Sequence, residues 1–173
     1  LGLFGINAGK ISNVGILDSY FCGKVSVGGV CGYNFEGTIT NCYNAGSVSG
    51  TENYVGGVSG DNSQGIITNC YNVGSVSGAE NCYVGGVSGE NYGGTITNCY
   101  YDSTIYTGNA IGDDTGTTTK VEGKTTDEFK TGEVAYLLQL DQSEEVWGQT
   151  IGKDTYPTFG GSKAVSYTHL RAH

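Results

Sequence analysis

The chain has 173 residues, 31 of them glycine and one proline, with 14% charged residues and a formal net charge of −9. That length allows one domain with a core or a short array plus a small cap; the glycines lack collagen's three-residue period, and the low charge excludes a charge-rich disordered tail. Between residues 28 and 100 the charged side chains are Glu36, Glu52, Asp61, Glu80 and Glu90, all acidic, which argues against nucleic acid and anionic membrane as partners.

No apolar run nears the roughly 18 residues of a membrane span, so direct insertion into a bilayer is not expected. The sequence has no methionine and opens inside a repeat, with Leu1-Gly2-Leu3-Phe4-Gly5 standing where Gly28-Gly29-Val30-Cys31-Gly32 stands one period later. It therefore reads as a fragment of a longer protein.

The first copy of the repeat, Leu1 to Val27, is the most diverged. Lys10-Ile11-Ser12-Asn13-Val14 matches Thr38-Ile39-Thr40-Asn41-Cys42, while Ile16-Leu17-Asp18-Ser19-Tyr20 fits the same stretch about as well, so the register of its second half stays open. Three clear copies follow. They begin at Gly28-Gly29-Val30, Gly56-Gly57-Val58 and Gly85-Gly86-Val87 and continue through Asn41-Cys42-Tyr43, Asn69-Cys70-Tyr71 and Asn98-Cys99-Tyr100. A fixed period of about 28 residues is the mark of a stacked array.

Within one copy the apolar residues come in short bursts, Val58, Ile66-Ile67, Cys70, Val76 and Val84, separated by glycine, serine and asparagine. No burst holds a helical period for two turns, and β-branched bursts bounded by glycine predict about three short strands per copy. The expected fold is all-β dominated, a parallel β-solenoid of three to four coils whose stacking closes a core no single coil can close. Val30, Val58 and Val87 are expected in one interior file, and Ile39, Ile67 and Ile96 in another. The glycines are read as bends.

Three side-chain files recur at fixed positions. Asn41, Asn69 and Asn98 are expected at a corner, where asparagine tolerates unusual backbone angles and bonds its counterparts above and below. They lack the N-x-S/T pattern of a glycosylation acceptor. Cys42, Cys70 and Cys99 read as small buried hydrophobes, because parallel stacked side chains suit a disulfide badly and no C-x-x-C pair or nearby histidine suggests a metal. Tyr43, Tyr71 and Tyr100 form an aromatic file that, facing outward, is the candidate binding surface; burial at a corner is the competing reading.

After Tyr101 the period stops. The domain reading is 1–101 for the repeats, 102–124 for a Thr/Gly-rich connector, 125–162 for a small α+β cap over the exposed end of the solenoid, and 163–173 for a non-native or disordered tail. Thr125-Thr126-Asp127-Glu128 is a capping box opening one helix through about Leu140, with Gly132 as its weak point. Trp147-Gly148 and Tyr156-Pro157-Thr158-Phe159 read as a short strand and turn packing on it.

The pattern Gly-Gly-Val-Ser-Gly-Glu-Asn-Tyr-Gly-Gly-Thr-Ile-Thr-Asn-Cys-Tyr at 85–100, with its copies at 28 and 56, resembles the GLUG motif of large bacterial surface and secreted proteins. Gly132-Glu133-Val134-Ala135-Tyr136-Leu137-Leu138, Trp147-Gly148-Gln149 and Tyr156-Pro157 resemble the segment that often follows such repeats in gut bacteria. The resemblance spans about residues 1–162. It departs where the family usually has Gly-Gly-Leu-Val-Gly and this chain has valine and serine, which changes core volume. It implies a β-solenoid stalk at the cell surface or outside the cell, used for adhesion or display, with host glycans or surface proteins as partners. Some members are linked to peptidases, but the motif supplies no catalytic residues. Residues 165–173 resemble translated library-adaptor sequence and hold both histidines, His169 and His173.

With those histidines set aside, no Ser-His-Asp or Cys-His site has a base. No catalytic residue, metal or cofactor is assigned. Asp61 and Glu90 share a repeat position and are read as solvated charges on an outward turn, a carbohydrate-active or peptidase-associated β-helix being the alternative. Thr38/Thr40 and Thr95/Thr97 leave an ice-binding solenoid as a remote third reading.

Overall fold

The computed structural model describes residues 1–160. They divide into two compact units that meet between Gly123 and Lys124. The first is a parallel β-solenoid. Its first coil holds β1 (Phe4–Asn7), β2 (Lys10–Ser12), β3 (Gly15–Ile16), β4 (Tyr20–Gly23) and β5 (Val27–Gly28). The second holds β6 (Cys31–Phe35), β7 (Thr38–Thr40), β8 (Tyr43–Asn44), β9 (Ser47–Gly50) and β10 (Tyr54–Gly56). The third holds β11 (Ser59–Ser63), β12 (Ile66–Thr68), β13 (Tyr71–Asn72), β14 (Val76–Gly78) and β15 (Tyr83–Gly85). The fourth is β16 (Ser88–Tyr92) and the long β17 (Thr95–Asp102).

Five very short strands build each full coil, where the bursts of apolar residues suggest three. The difference lies in the bends. Asn13, Asn41, Asn69 and Asn98 all take positive φ, between 52° and 56°; the first three each separate two strands, while Asn98 bends the long β17 within its length. Glu36, Gln64 and Gly93 repeat the same left-handed conformation at a second corner, at φ 54°, 55° and 59°. The glycine pairs serve close approach more than backbone freedom: a Cβ on Gly28, Gly56 or Gly85 would collide with the carbonyl oxygen of Cys31, Ser59 or Ser88.

Strands of successive coils pair in parallel and in register. The order β1-β6-β11-β16-β18 forms a five-stranded sheet, with β18 (Ile111–Asp114) as its last rung. Residues 102–124, read by composition as a connector, thus carry β18 and also β19 (Thr117–Lys124), which pairs with β17. Lys10–Ser12 pairs with Thr38–Thr40 and Gly15 with Tyr43, which resolves the ambiguous register of the first copy.

Ile11, Ile39, Ile67 and Ile96 stack at one level of the core, Ile39, Ile67 and Ile96 with no exposed surface. Val30, Val58 and Val87 are also fully buried. A second cluster, Val27, Val48, Val55 and Val76, fills the other lobe of the coil. Each buried isoleucine removes roughly 2 kcal/mol of apolar surface from water only because the coils above and below cover it.

The second unit holds α1 (Thr126–Lys130), α2 (Glu133–Gln139), β20 (Trp147–Gly148) and β21 (Thr158–Phe159), the two strands antiparallel. The capping box is present: Thr125 Oγ1 accepts from the Glu128 amide at 3.2 Å and the Glu128 carboxylate accepts from the Thr125 amide at 2.7 Å. The single helix expected through Leu140 is instead two, because Gly132 sits at φ 82° and turns the chain left-handed between them. Phe129, Val134, Ala135, Leu138 and Trp147 are buried here, and the Gln149 side chain donates to the Phe129 carbonyl at 2.8 Å. Residues 161–173, including the end of the expected cap and the expected tail, lie outside the described residues.

Candidate functional site

The corner asparagines stand where the chain bends. Asn98 Nδ2 donates to Asn69 Oδ1 at 2.7 Å, and Asn98 Oδ1 in turn accepts from the Tyr100 hydroxyl at 2.7 Å. Cys42, Cys70 and Cys99 are fully buried free thiols bonded to the carbonyls of Thr40, Thr68 and Thr97 at 3.2–3.3 Å. The Cys42 thiol is pushed up, first by its hydrogen bond with Cys70 and then by burial, and burial pushes Cys70 up as well. Thiols held protonated in this way are poor nucleophiles.

The tyrosine file faces a different way from the one a binding surface needs. Tyr43, Tyr71 and Tyr100 are in register, and the Tyr43 and Tyr71 rings stack at 5.1 Å with a 4° angle. Tyr71 and Tyr100 are only 1% and 2% exposed, and Tyr43 is half-buried. The rung before Tyr43 is Gly15, where a Cβ would collide with the Tyr43 ring, so that ring lies flat across the glycine. These rings are packing material between coils. A sugar could reach one ring at most.

Two further asparagine ladders escape a reading of the repeat. Along the β1-β6-β11-β16-β18 sheet, Asn7 Nδ2 donates to Asn34 Oδ1 at 2.7 Å, Asn34 to Asn62 at 2.8 Å, Asn62 to Asn91 at 2.9 Å and Asn91 to Asp114 at 2.9 Å. Asn44 donates to Asn72 at 2.8 Å on another. Asn34, Asn44, Asn62 and Asn91 have no exposed surface, and second bonds tie Asn34 and Asn62 to the carbonyls of Gly37 and Gly65 and Asn44 to that of Gly46. A side-chain amide pointing inward is affordable only when both its ends are bonded. The available signal was the recurrence of Asn34, Asn62 and Asn91 at the repeat period.

On the outside of that same face runs a file of a different kind. Ile6, Tyr33, Asp61, Glu90 and Asp113 are paired rung by rung on β1, β6, β11, β16 and β18. Asp61 and Glu90 therefore sit on strands, not on an outward turn as expected, because the bends fall at residues 64 and 93 instead. Adjacent parallel strands stand about 4.8 Å apart, which holds three carboxylates side by side. Tyr54 reaches across from β10 and hydrogen-bonds Glu90, while its ring stacks on Tyr83 at 5.8 Å.

The electrostatics follow from that crowding. Burial and then the Glu90 charge push the Asp61 carboxyl up to about 6. Burial, with Asp113 adding to it, raises Glu90 against the opposing Tyr54 hydrogen bond. Tyr54 itself is pushed up to about 12, by burial and then by Glu90, with Asp61 and Asp113 contributing. Asp61 Oδ1 is buried and has no hydrogen-bond partner among the described residues. Among the same residues, no group of three or more His, Cys, Asp or Glu is placed to hold a metal ion, and no helix is long and apolar enough to cross a membrane.

A family model described as the GLUG motif matches residues 23–49 and 80–106. No curated protein matches. A crystal structure of a candidate immunoglobulin A1 protease from Bacteroides ovatus superposes with a TM-score of 0.58 at 21% identity, over 83% of this chain and 55% of that one. The chain thus spans about half the length of that protein, and the likeness is one of fold.

Proposed function

We propose that this chain, which carries the GLUG motif in a parallel β-solenoid of four coils, is a non-catalytic rod that displays its outer surface at or outside the cell surface. The observation that carries the reading is the fate of the recurring residues. Asparagine, cysteine, isoleucine and valine at fixed repeat positions are spent on bonds and packing between coils. What varies from coil to coil is the outer face, as Ile6, Tyr33, Asp61, Glu90 and Asp113 illustrate. A scaffold whose interior recurs at most rungs while its exterior varies suits recognition by surface, with host glycans or surface proteins as the partners in view.

The second reading is a peptidase-associated or carbohydrate-active module. The crowded pair Asp61 and Glu90 favours it, since a carboxyl held up to about 6 beside a second carboxylate has the makings of an acid–base pair. Turnover separates the two. The full chain incubated with immunoglobulin A1 and with neutral and acidic polysaccharides is expected to release no peptide and no reducing sugar. Product that disappears in Asp61→Asn and Glu90→Gln would overturn the display reading.

A further inference from the structure

Past β17 the solenoid continues for half a turn. Gly86 and Val87 donate to the carbonyls of Asn109 and Ala110, each at 2.9 Å, and Thr115 and Thr117 donate to those of Asn91 and Gly94 at 3.0 and 2.8 Å. Lys120, three residues after Thr117 as Asn98 is three after Thr95, repeats the left-handed corner at φ 53°. Residues 109–124 thus form a fifth, partial rung that covers the edges of β16 and β17 with β18 and β19. It is held lightly. Ile111 is its one buried residue, Ala110 and Val121 lie half-buried against the core, and most of β19 is exposed.

Docking this rung adds charge where charge already stands. Asp113 comes into register with Glu90, itself in register with Asp61, at the strand spacing of about 4.8 Å. The titratable side chains on the elements packed around β18 are Glu90 and Tyr92 on β16, Tyr83 on β15 and Tyr54 on β10, none of them a cation. Asp114, beside Asp113, accepts from the Asn91 amide, and Lys120 on β19 forms no ion pair with the file among the described residues. Burial raises the Glu90 carboxyl and the Asp113 charge adds to it, against the Tyr54 hydrogen bond.

We propose that the half-coil 109–124 is an acid-closed latch, docked when the Glu90–Asp113 pair carries a proton and loosened at neutral pH, where it uncovers the edges of β16 and β17. A carboxyl raised by docking takes up a proton as the rung closes. Closure is therefore strongest below the ordinary carboxylate range near roughly 4 and weakens as pH rises through the docked value. Opening so lightly buried a rung costs far less than unfolding the coils beneath it, so the change stays local. The edges it uncovers carry unpaired backbone groups that a strand of another chain can pair with. This device is independent of the display reading.

The test is hydrogen exchange of the full chain followed by mass spectrometry at about pH 4.5 and about pH 7.5, corrected for the intrinsic pH dependence of amide exchange. Between the two, protection of residues 109–124 is expected to fall about threefold or more, while that of residues 28–78 changes less than about twofold. Asp113→Asn and Glu90→Gln, which remove a like charge and leave the rung its packing, are each expected to abolish that fall. Glu122→Gln, which removes a charge of the same rung outside the file, is expected to preserve it. An absent fall in the wild type, an equal fall across residues 28–78 or a fall that survives Asp113→Asn would overturn the proposal. Loss of the effect in Glu122→Gln would overturn it too, by reducing it to net charge.

Discussion

Asparagine occupies two environments in this coil, and the single letter does not distinguish them. At Asn41, Asn69 and Asn98 it provides a left-handed corner; at Asn34, Asn62 and Asn91 it points inward and bonds the coils on either side. Acidic side chains make a similar contrast. Glu128 is held below its ordinary range by the backbone and hydroxyl of Thr125 that it caps, whereas burial and Glu90 push Asp61 up to about 6. With an unfolded value near roughly 4, folded Asp61 binds a proton the unfolded chain releases. Its stabilising contribution is therefore complete below about pH 4 and is lost as pH rises through about 6. Urea unfolding at pH 4.5 and 7.5 is expected to show wild type losing about 1–2 kcal/mol relative to Asp61→Asn across that interval, after allowance for solvent screening. Parallel pH profiles for the two proteins would refute the assignment.

Among the elements, the strands were legible as short β-branched bursts, and the start of α1 was legible in its capping box. Their number and boundaries were not. Glu36 and Gln64 give no hint of a bend, because neither side chain favours positive φ and the conformation is imposed by the coils packed around it. Gly132 was visible as a weak point, but whether a glycine interrupts a helix or merely lowers its propensity depends on what the flanking segments pack against. At φ 82° it is a joint that an L-residue adopts only with strain. Gly132→Ala is expected to lower the stability of the second unit by about 1 kcal/mol or more, in contrast to the gain such a change gives at an ordinary helical site. Thermal unfolding followed through Trp147 fluorescence checks it, and an unchanged or raised midpoint would show that the two helices can merge.

For the whole molecule, stacking makes stability a sum over neighbouring coils, so the same deletion should cost different amounts at different depths. Asn62 bonds Asn34 on one side and Asn91 on the other, whereas Asn7 has a ladder partner on one side only. Asn62→Ala is expected to cost about 2–4 kcal/mol by stripping buried amides of partners, and Asn7→Ala no more than half as much. Equal losses by chemical denaturation would argue against a nearest-neighbour stack. The period itself, the interior isoleucine and valine files, the parallel solenoid and the buried thiols are all dictated by the chain alone, since identical residues at a fixed interval must superpose when coils stack. Which of the remaining residues face outward was decided only in three dimensions. The bends fall three residues beyond Asp61 and Glu90, at Gln64 and Gly93, so both carboxylates sit on a strand, and the alternation of the strand turns them to its outer face while Asn62 and Asn91 turn inward. The same geometry sinks Tyr71 and Tyr100 between coils and leaves the acidic file on the outer face, with Tyr83 and Tyr92 exposed beside it.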